Sequence, residues 1–252
     1  MSRLRFFSIL VLAVLCVAAV PAFADTVFTD GTMSLGSYTT QGPFLTSGLP
    51  GSATVTLSNC NNCGDPNGKA LQVTVNFSNA AATDVGLVNN SFNYNPTTQG
   101  DITSITASVD KNLTSNATNG SGSTFHPLIE QDGNFYIASI TGPGLTGAGT
   151  TGYNLLSQTG LLATSFVQYN FATGVTGTAN PNFNGDAMSF GLAQITSNVT
   201  GTASITLSFD NLAFDIASVP PAKTPEPASF SLLGLGLLGI MTLTGRKMLV
   251  NN

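Results

Sequence analysis

Three short stretches hold the residues whose types and spacing could do chemistry. The first, SNCNNCGDPNG at residues 58–68, sets Cys60 and Cys63 three positions apart among turn-forming residues. Two thiols at that spacing in an oxidising compartment form a local disulfide. The loop it closes is so small that it stiffens one turn rather than removing much chain entropy. A zinc site would need two further ligands, and the chain has a single histidine, His126. A thioredoxin-like redox motif would open a helix, whereas Gly64, Asp65 and Pro66 follow here.

The second stretch is FHPLIEQDGNFYIA at residues 125–138. Glu130 and Asp132 are two apart, which on a strand places them on one face with Cα atoms roughly 6–7 Å apart, a spacing a glycosidase pair could use. They flank QDGN, however, where Asp, Gly and Asn are favoured in a hairpin turn for backbone reasons alone. No catalytic residue is assigned, and no enzymatic activity is expected. His126, Asp132, Asn134 and Tyr136 cluster around this turn and combine donors, acceptors and an aromatic face, which makes them the candidate contacts for a hydroxyl-rich ligand. The third stretch is FDNLAFD at residues 209–215, where Asp210, with the more distant Asp186, offers oxygen to calcium. Alternation puts Asp210 and Leu212 on one face and builds no dense oxygen cage, so neither a metal nor another cofactor is expected, with calcium the one ion considered.

The elements that must position these residues are strands. In ALQVTVNFSN, Leu71, Val73, Val75 and Phe77 point one way and Gln72, Thr74, Asn76 and Ser78 the other. The same period recurs at Ala53, Val55 and Leu57, at Ile105, Ala107 and Val109, at Val167, Tyr169 and Phe171, and at Ile205, Leu207 and Phe209. Residues 134–140 and 187–196 are further strands, rich in aromatic and branched side chains. No stretch between the two ends keeps a 3.6-residue apolar period for three turns; only 154–166 offers a short helix or turn, interrupted by Gly160. Residues 25–218 therefore read as one antiparallel β-sandwich or jelly roll, with the polar alternate positions as its solvent faces and the Gly-rich stretches 112–123 and 141–152 as rim loops.

Composition narrows the partners. Of the 252 residues, 42% are hydrophobic and 8% charged, against roughly 25% charged in an ordinary soluble domain. Between Asp25 and Thr224 three lysines face eleven acidic side chains, a net −8. Neutralising phosphates takes clustered Lys and Arg, so nucleic acid is not a partner. Both termini are apolar. At the N-terminus, Arg3 and Arg5 precede the run Phe6 to Val20, and Ala22 and Ala24 make an A-x-A exit, so residues 1–24 read as a signal peptide, helical in its apolar centre. At the other end, residues 219–227 form a Pro-rich linker, 228–245 an uncharged span long enough to cross a bilayer as a helix, and 246–252 a tail whose Arg246 and Lys247 hold the cytoplasmic side. The glycines Gly234, Gly236 and Gly239 thin this span, as befits a temporary anchor.

Pro225, Glu226 and Pro227, the Gly-Leu-rich span and Arg246-Lys247 resemble the tail of PEP-CTERM proteins. That resemblance implies recognition by an exosortase, a membrane protease and transpeptidase, with inner-membrane anchoring before processing and then a place on the cell surface or in the exopolysaccharide matrix of a Gram-negative-type bacterium. The body resembles the concanavalin-like jelly rolls that precede such tails, through residues 125–138, 181–192 and 208–216; where many of those carry a Trp, this chain has Tyr153. Together these imply a non-catalytic module associated with carbohydrate or exopolysaccharide. A structural matrix or biofilm scaffold without a specific ligand is the alternative, suited to low charge and unprotected strand edges.

Overall fold

The computed structural model describes residues 25–45, 49–66, 68–115, 122–138 and 152–219. The signal segment, the Pro-Glu-Pro tail with its apolar span, and most of the two expected rim loops lie outside the described residues. Among those described, no helix is long and apolar enough to cross a membrane.

The described residues form thirteen strands: β1 (Thr26–Asp30), β2 (Tyr38–Leu45), β3 (Ala53–Cys60), β4 (Ala70–Phe77), β5 (Ala81–Tyr94), β6 (Asp101–Ser115), β7 (Gly122–Gln131), β8 (Asn134–Ala138), β9 (Tyr153–Leu161), β10 (Phe166–Asn170), β11 (Val175–Thr176), β12 (Met188–Asn198) and β13 (Ala203–Val219). They form two antiparallel sheets. One runs β3-β4-β13-β6-β9, with β1 also paired to β13; the other runs β11-β10-β8-β7-β12-β5-β2. This is the expected all-β sandwich.

Alternation in the sequence becomes alternation in space. Leu71, Val73, Val75 and Phe77 of β4 face Phe125, Ile129, Phe190 and Leu192 of the opposite sheet within one apolar cluster. The helix considered at 154–166 is instead β9 followed by one 3-10 turn, because Tyr153–Leu161 pairs along β6. The expected alternation of FDNLAFD also fails at one residue. Asn211 takes a left-handed φ of 51° and inserts an extra residue against β6, a bulge that Asn tolerates through its short polar side chain. Leu212 therefore turns into the core while Asp210 faces outward.

That outward carboxylate is not exposed. The loop after β3 carries the Cys60–Cys63 disulfide and folds over the outer face of the six-stranded sheet. There Asp65 N–H donates to Asp210 Oδ2 at 2.6 Å and Asn211 N–H to Asp210 Oδ1 at 2.9 Å, and Tyr153 Oη donates to the Cys63 carbonyl. Asp210 is thus committed to two backbone donors.

One end of the interior is polar. Lys111 pairs with Phe209 in the β6–β13 register and so points inward. It is 2% exposed, and its Nζ donates to the Ser123 carbonyl at 3.2 Å. Thr196 Oγ1 donates to Ser123 Oγ and accepts from Gln194 Nε2. Burial lowers the Lys111 pKa from 10.5 to about 8. Because the folded value lies below the unfolded one, the unfolded chain binds more protons between them. Stability therefore rises with pH across that window, and at neutral pH the buried ammonium costs roughly 3 kcal/mol. Replacing it as Lys111→Met should raise the melting temperature at pH 7 by about 5 °C and flatten the rise between pH 8 and 9.5. Calorimetric melts across that range check both.

Candidate functional site

The second sheet has apolar side chains on both faces. In β5 the whole run Ala81–Asn89, except Ala82, is buried. Odd positions such as Val85 and Leu87 enter the sandwich core, while Val88 joins Leu128, Ile137, Tyr169, Phe171 and Ala193 in a separate cluster on the outer face. The reason that face is not simply solvated is a single long-range contact. Tyr169 Oη on β10 donates to Asp84 Oδ2 on β5 at 2.5 Å, although β8, β7 and β12 lie between them in the sheet.

Four strand spacings along a flat sheet would separate the two by about 19 Å. The sheet must therefore curl, with its outer face concave. Two glycines make room for this. A Cβ at Gly86 would come within 2.7 Å of the Phe171 ring, and one at Gly191 within 2.0 Å of the Leu87 carbonyl oxygen. Phe171 lies edge-on to both Tyr169 and Phe135. At the far edge, β2 breaks register between Gln41 and Phe44, and Phe44 N–H donates to Asp84 Oδ1 at 3.3 Å. Pro43 in that break is tolerated because β2 is an edge strand.

The curl leaves two adjoining recesses. The larger, about 810 Å³, runs past Gln41, Asn134, Phe135, Gln168, Phe171 and Thr176. The smaller, about 380 Å³, lies over Thr39, Gln41, Asn90, Asn93, Glu130 and Ser189. Gln41 and Phe135 line both, so the two form one trough. Its polar groups are partly pre-arranged. At the rim, on the Tyr136 side of the sheet, Gln168 Nε2 donates to Asn134 Oδ1 at 3.0 Å; within the trough Thr39 Oγ1 donates to Asn90 Oδ1 at 2.7 Å and Ser189 Oγ to Asn93 Oδ1 at 2.7 Å. Each of these amides keeps N–H or lone-pair capacity for a ligand.

Each of the four residues proposed from the sequence has a definite place. Asn134 lines the larger recess. Asp132 (φ 53°) and Gly133 (φ 74°) form the two-residue turn between β7 and β8, with positive φ at both, as a type I′ hairpin requires. Glu130 Oε1 accepts the Gly133 N–H at 2.9 Å, so this carboxylate braces the turn. Tyr136 points into the sandwich core, 8% exposed, and it is its neighbour Phe135 that faces the trough. His126 sits on the concave face, partly buried: Nδ1 lies 2.8 Å from the Ala138 carbonyl and Nε2 2.9 Å from Thr124 Oγ1. A carbonyl only accepts, so Nδ1 carries the proton. Burial lowers the ring's pKa, opposed by the hydrogen bond to Ala138. Sequence reasoning missed Gln41, Asn90, Phe135 and Gln168, which no local motif marks.

Among the described residues no group of three or more His, Cys, Asp or Glu is placed to hold a metal ion. Burial raises the pKa of Asp84, opposed by the hydrogen bonds from Tyr169 and Phe44. Its folded pKa therefore exceeds the unfolded one, so its contribution to stability is complete below the unfolded value and lost as pH climbs through the folded value. Tyr169→Phe removes the donor that offsets this. The substitution should cost about 1–3 kcal/mol at pH 7, with the difference shrinking below pH 4 where the carboxyl is neutral. Urea denaturation of both proteins at the two pH values checks the sign.

Residues 223–247 match the PEP-CTERM protein-sorting motif. Solved structures similar to this chain include a family 11 carbohydrate-binding module from Clostridium thermocellum in complex with a β-1,3-1,4-mixed-linked tetrasaccharide (11% identity, 79% of this chain and 99% of that one, TM-score 0.42). A carbohydrate-binding module described for specific mannan recognition is 11% identical over 78% of this chain and 100% of its own, with a TM-score of 0.36. A protein of unknown function from Shewanella oneidensis MR-1 is 17% identical over 84% of this chain and 95% of its own, with a TM-score of 0.37. No curated protein matches the chain. The sorting motif makes this an exported protein, processed by an exosortase at the cell surface.

Proposed function

We propose that this protein is a non-catalytic glycan-binding module of the cell surface or extracellular matrix, and that the concave trough of the seven-stranded sheet is its ligand face. Residues 228–245 hold it in the inner membrane until the exosortase acts near Pro225–Pro227. One observation carries the binding role: amide and hydroxyl groups converge on a preformed trough beside the partly exposed ring of Phe135. Planar amides match vicinal sugar hydroxyls as donor and acceptor together, and an aromatic face covers the apolar C–H side of a pyranose ring. Asn134, at the turn proposed from the sequence, contributes to the rim.

No catalytic role is assigned. Glu130 braces the β7–β8 turn and Asp132 stands at its tip, so neither carboxylate is held in the enclosed, paired setting that acid–base hydrolysis uses.

The test is binding of the purified exported protein to soluble polysaccharides, followed by titration calorimetry on any hit. Saturable binding is expected. Phe135→Ala should weaken it about tenfold or more, equivalent to 1.4 kcal/mol, and so should Asn90→Ala, whose exposed side chain leaves the fold intact. Binding that survives both substitutions rules the trough out. Self-association with no glycan bound at all would instead favour the structural matrix role.

A further inference from the structure

We infer that the trough selects uncharged, hydroxyl-rich polysaccharides and rejects acidic ones, an inference that rests on the glycan-binding reading above. The larger recess contains no carboxylate and no cation among its lining residues. The smaller contains one charge, Glu130. Around them the charges share one sign: Asp132 stands at the turn beside the rim, and Asp84 lies beneath the floor against Tyr169. No arginine occurs between residues 25 and 219, and the only lysines there are Lys69 and Lys111.

Neither lysine reaches the trough. Lys111 is buried between the sheets with its Nζ on the Ser123 carbonyl. Lys69 belongs to the disulfide loop, whose Gly64 and Asp65 pack on Asp210, on the outer face of the other sheet. Stacked sheets are about 10 Å apart, and the Debye length at physiological salt is about 8 Å. A uronate, sulfate or phosphate group in the trough would therefore lose water without gaining a cation, and would face carboxylates instead.

A desolvated anion needs a paired charge or several strong donors. The donors available here are neutral amides: Gln41, whose side chain makes no hydrogen bond among the described residues, and the spare N–H groups of Asn90. Neutral amides satisfy hydroxyls, which both give and accept, at far lower desolvation cost. Asp84 is no spare ligand for an amino sugar either, since both its oxygens are taken, and Glu130 has one oxygen committed to the turn. Glu130 holds the Gly133 N–H, and Asp84 holds Tyr169 Oη and Phe44 N–H.

The experiment is affinity electrophoresis of the exported protein and its Phe135→Ala variant at low ionic strength. The gels contain hydroxyethylcellulose, glucomannan, alginate or polygalacturonate. Retardation by at least one neutral polymer, lost in the variant, with free migration through both acidic polymers, is the expected result. Retardation by alginate or polygalacturonate that Phe135→Ala abolishes overturns the selectivity while leaving the trough as the glycan site. Free migration of folded protein through all four gels, or retardation that the variant leaves untouched, overturns the glycan-binding reading and this inference with it. Circular dichroism and a melting curve for the variant establish that a loss is not unfolding.

Discussion

The hydrogen bond between Tyr169 and Asp84 is the constraint on which the concave face of this molecule depends. Sandwich packing requires only that one face of each sheet be apolar, and the six-stranded sheet keeps to that rule apart from the disulfide loop laid across it. The seven-stranded sheet does not. By joining strands separated by three others, the Tyr169 hydroxyl holds its outer face in a curve and converts what would be a flat surface into a concave one. The carboxylate it holds is buried, and burial raises its pKa. That unfavourable burial is offset by two donors, and it is tolerated because the same contact shelters Phe171, Ile137 and Val88 from water.

Curvature of this degree has requirements elsewhere. Gly86 and Gly191 leave the space that the Phe171 ring and the β5 backbone occupy, so the sheet bends where side chains are missing. The β2 break at Gly42-Pro43 then lets the far edge turn its backbone toward Asp84. Edge, floor and opposite wall meet at one carboxylate. Rigidity follows from that convergence, and a preformed trough loses less conformational entropy on taking a ligand than one assembled on demand.

Strand positions were legible in the sequence because period-2 alternation survives wherever one face of a strand is wet. β4 and the first half of β13 read directly, and the QDGN turn was fixed by residues that accept positive φ. Where both faces are apolar the same signal fails. In NFYIA, Phe135 and Tyr136 are equally plausible trough residues, and only a knowledge of which face meets the other sheet decides between them; here Tyr136 is the core residue. Asn211 shifts the parity of β13 by one residue, so Asp210 and Leu212 part company although alternation pairs them. Gln41, Asn90 and Gln168 come from three distant strands, and nothing local distinguishes them from the many other amides of the chain.

Scarcity of charge ties the trough to the sorting tail. A surface with almost no cations and few anions gains little from electrostatic steering, so association proceeds at the slower rates set by shape and hydrogen bonding. Shallow neutral sites of this kind give modest affinity, because each hydroxyl exchanged for an amide returns nearly what water already supplied. Delivery to the cell surface changes that arithmetic. A module held among polymer chains meets repeated copies of its ligand, and each additional contact made by neighbouring modules counts as an intramolecular event at high effective concentration. On the proposed glycan-binding reading, weak and uncharged recognition would then suffice for retention, whereas a strongly charged site would bind every acidic polymer in reach and lose selectivity.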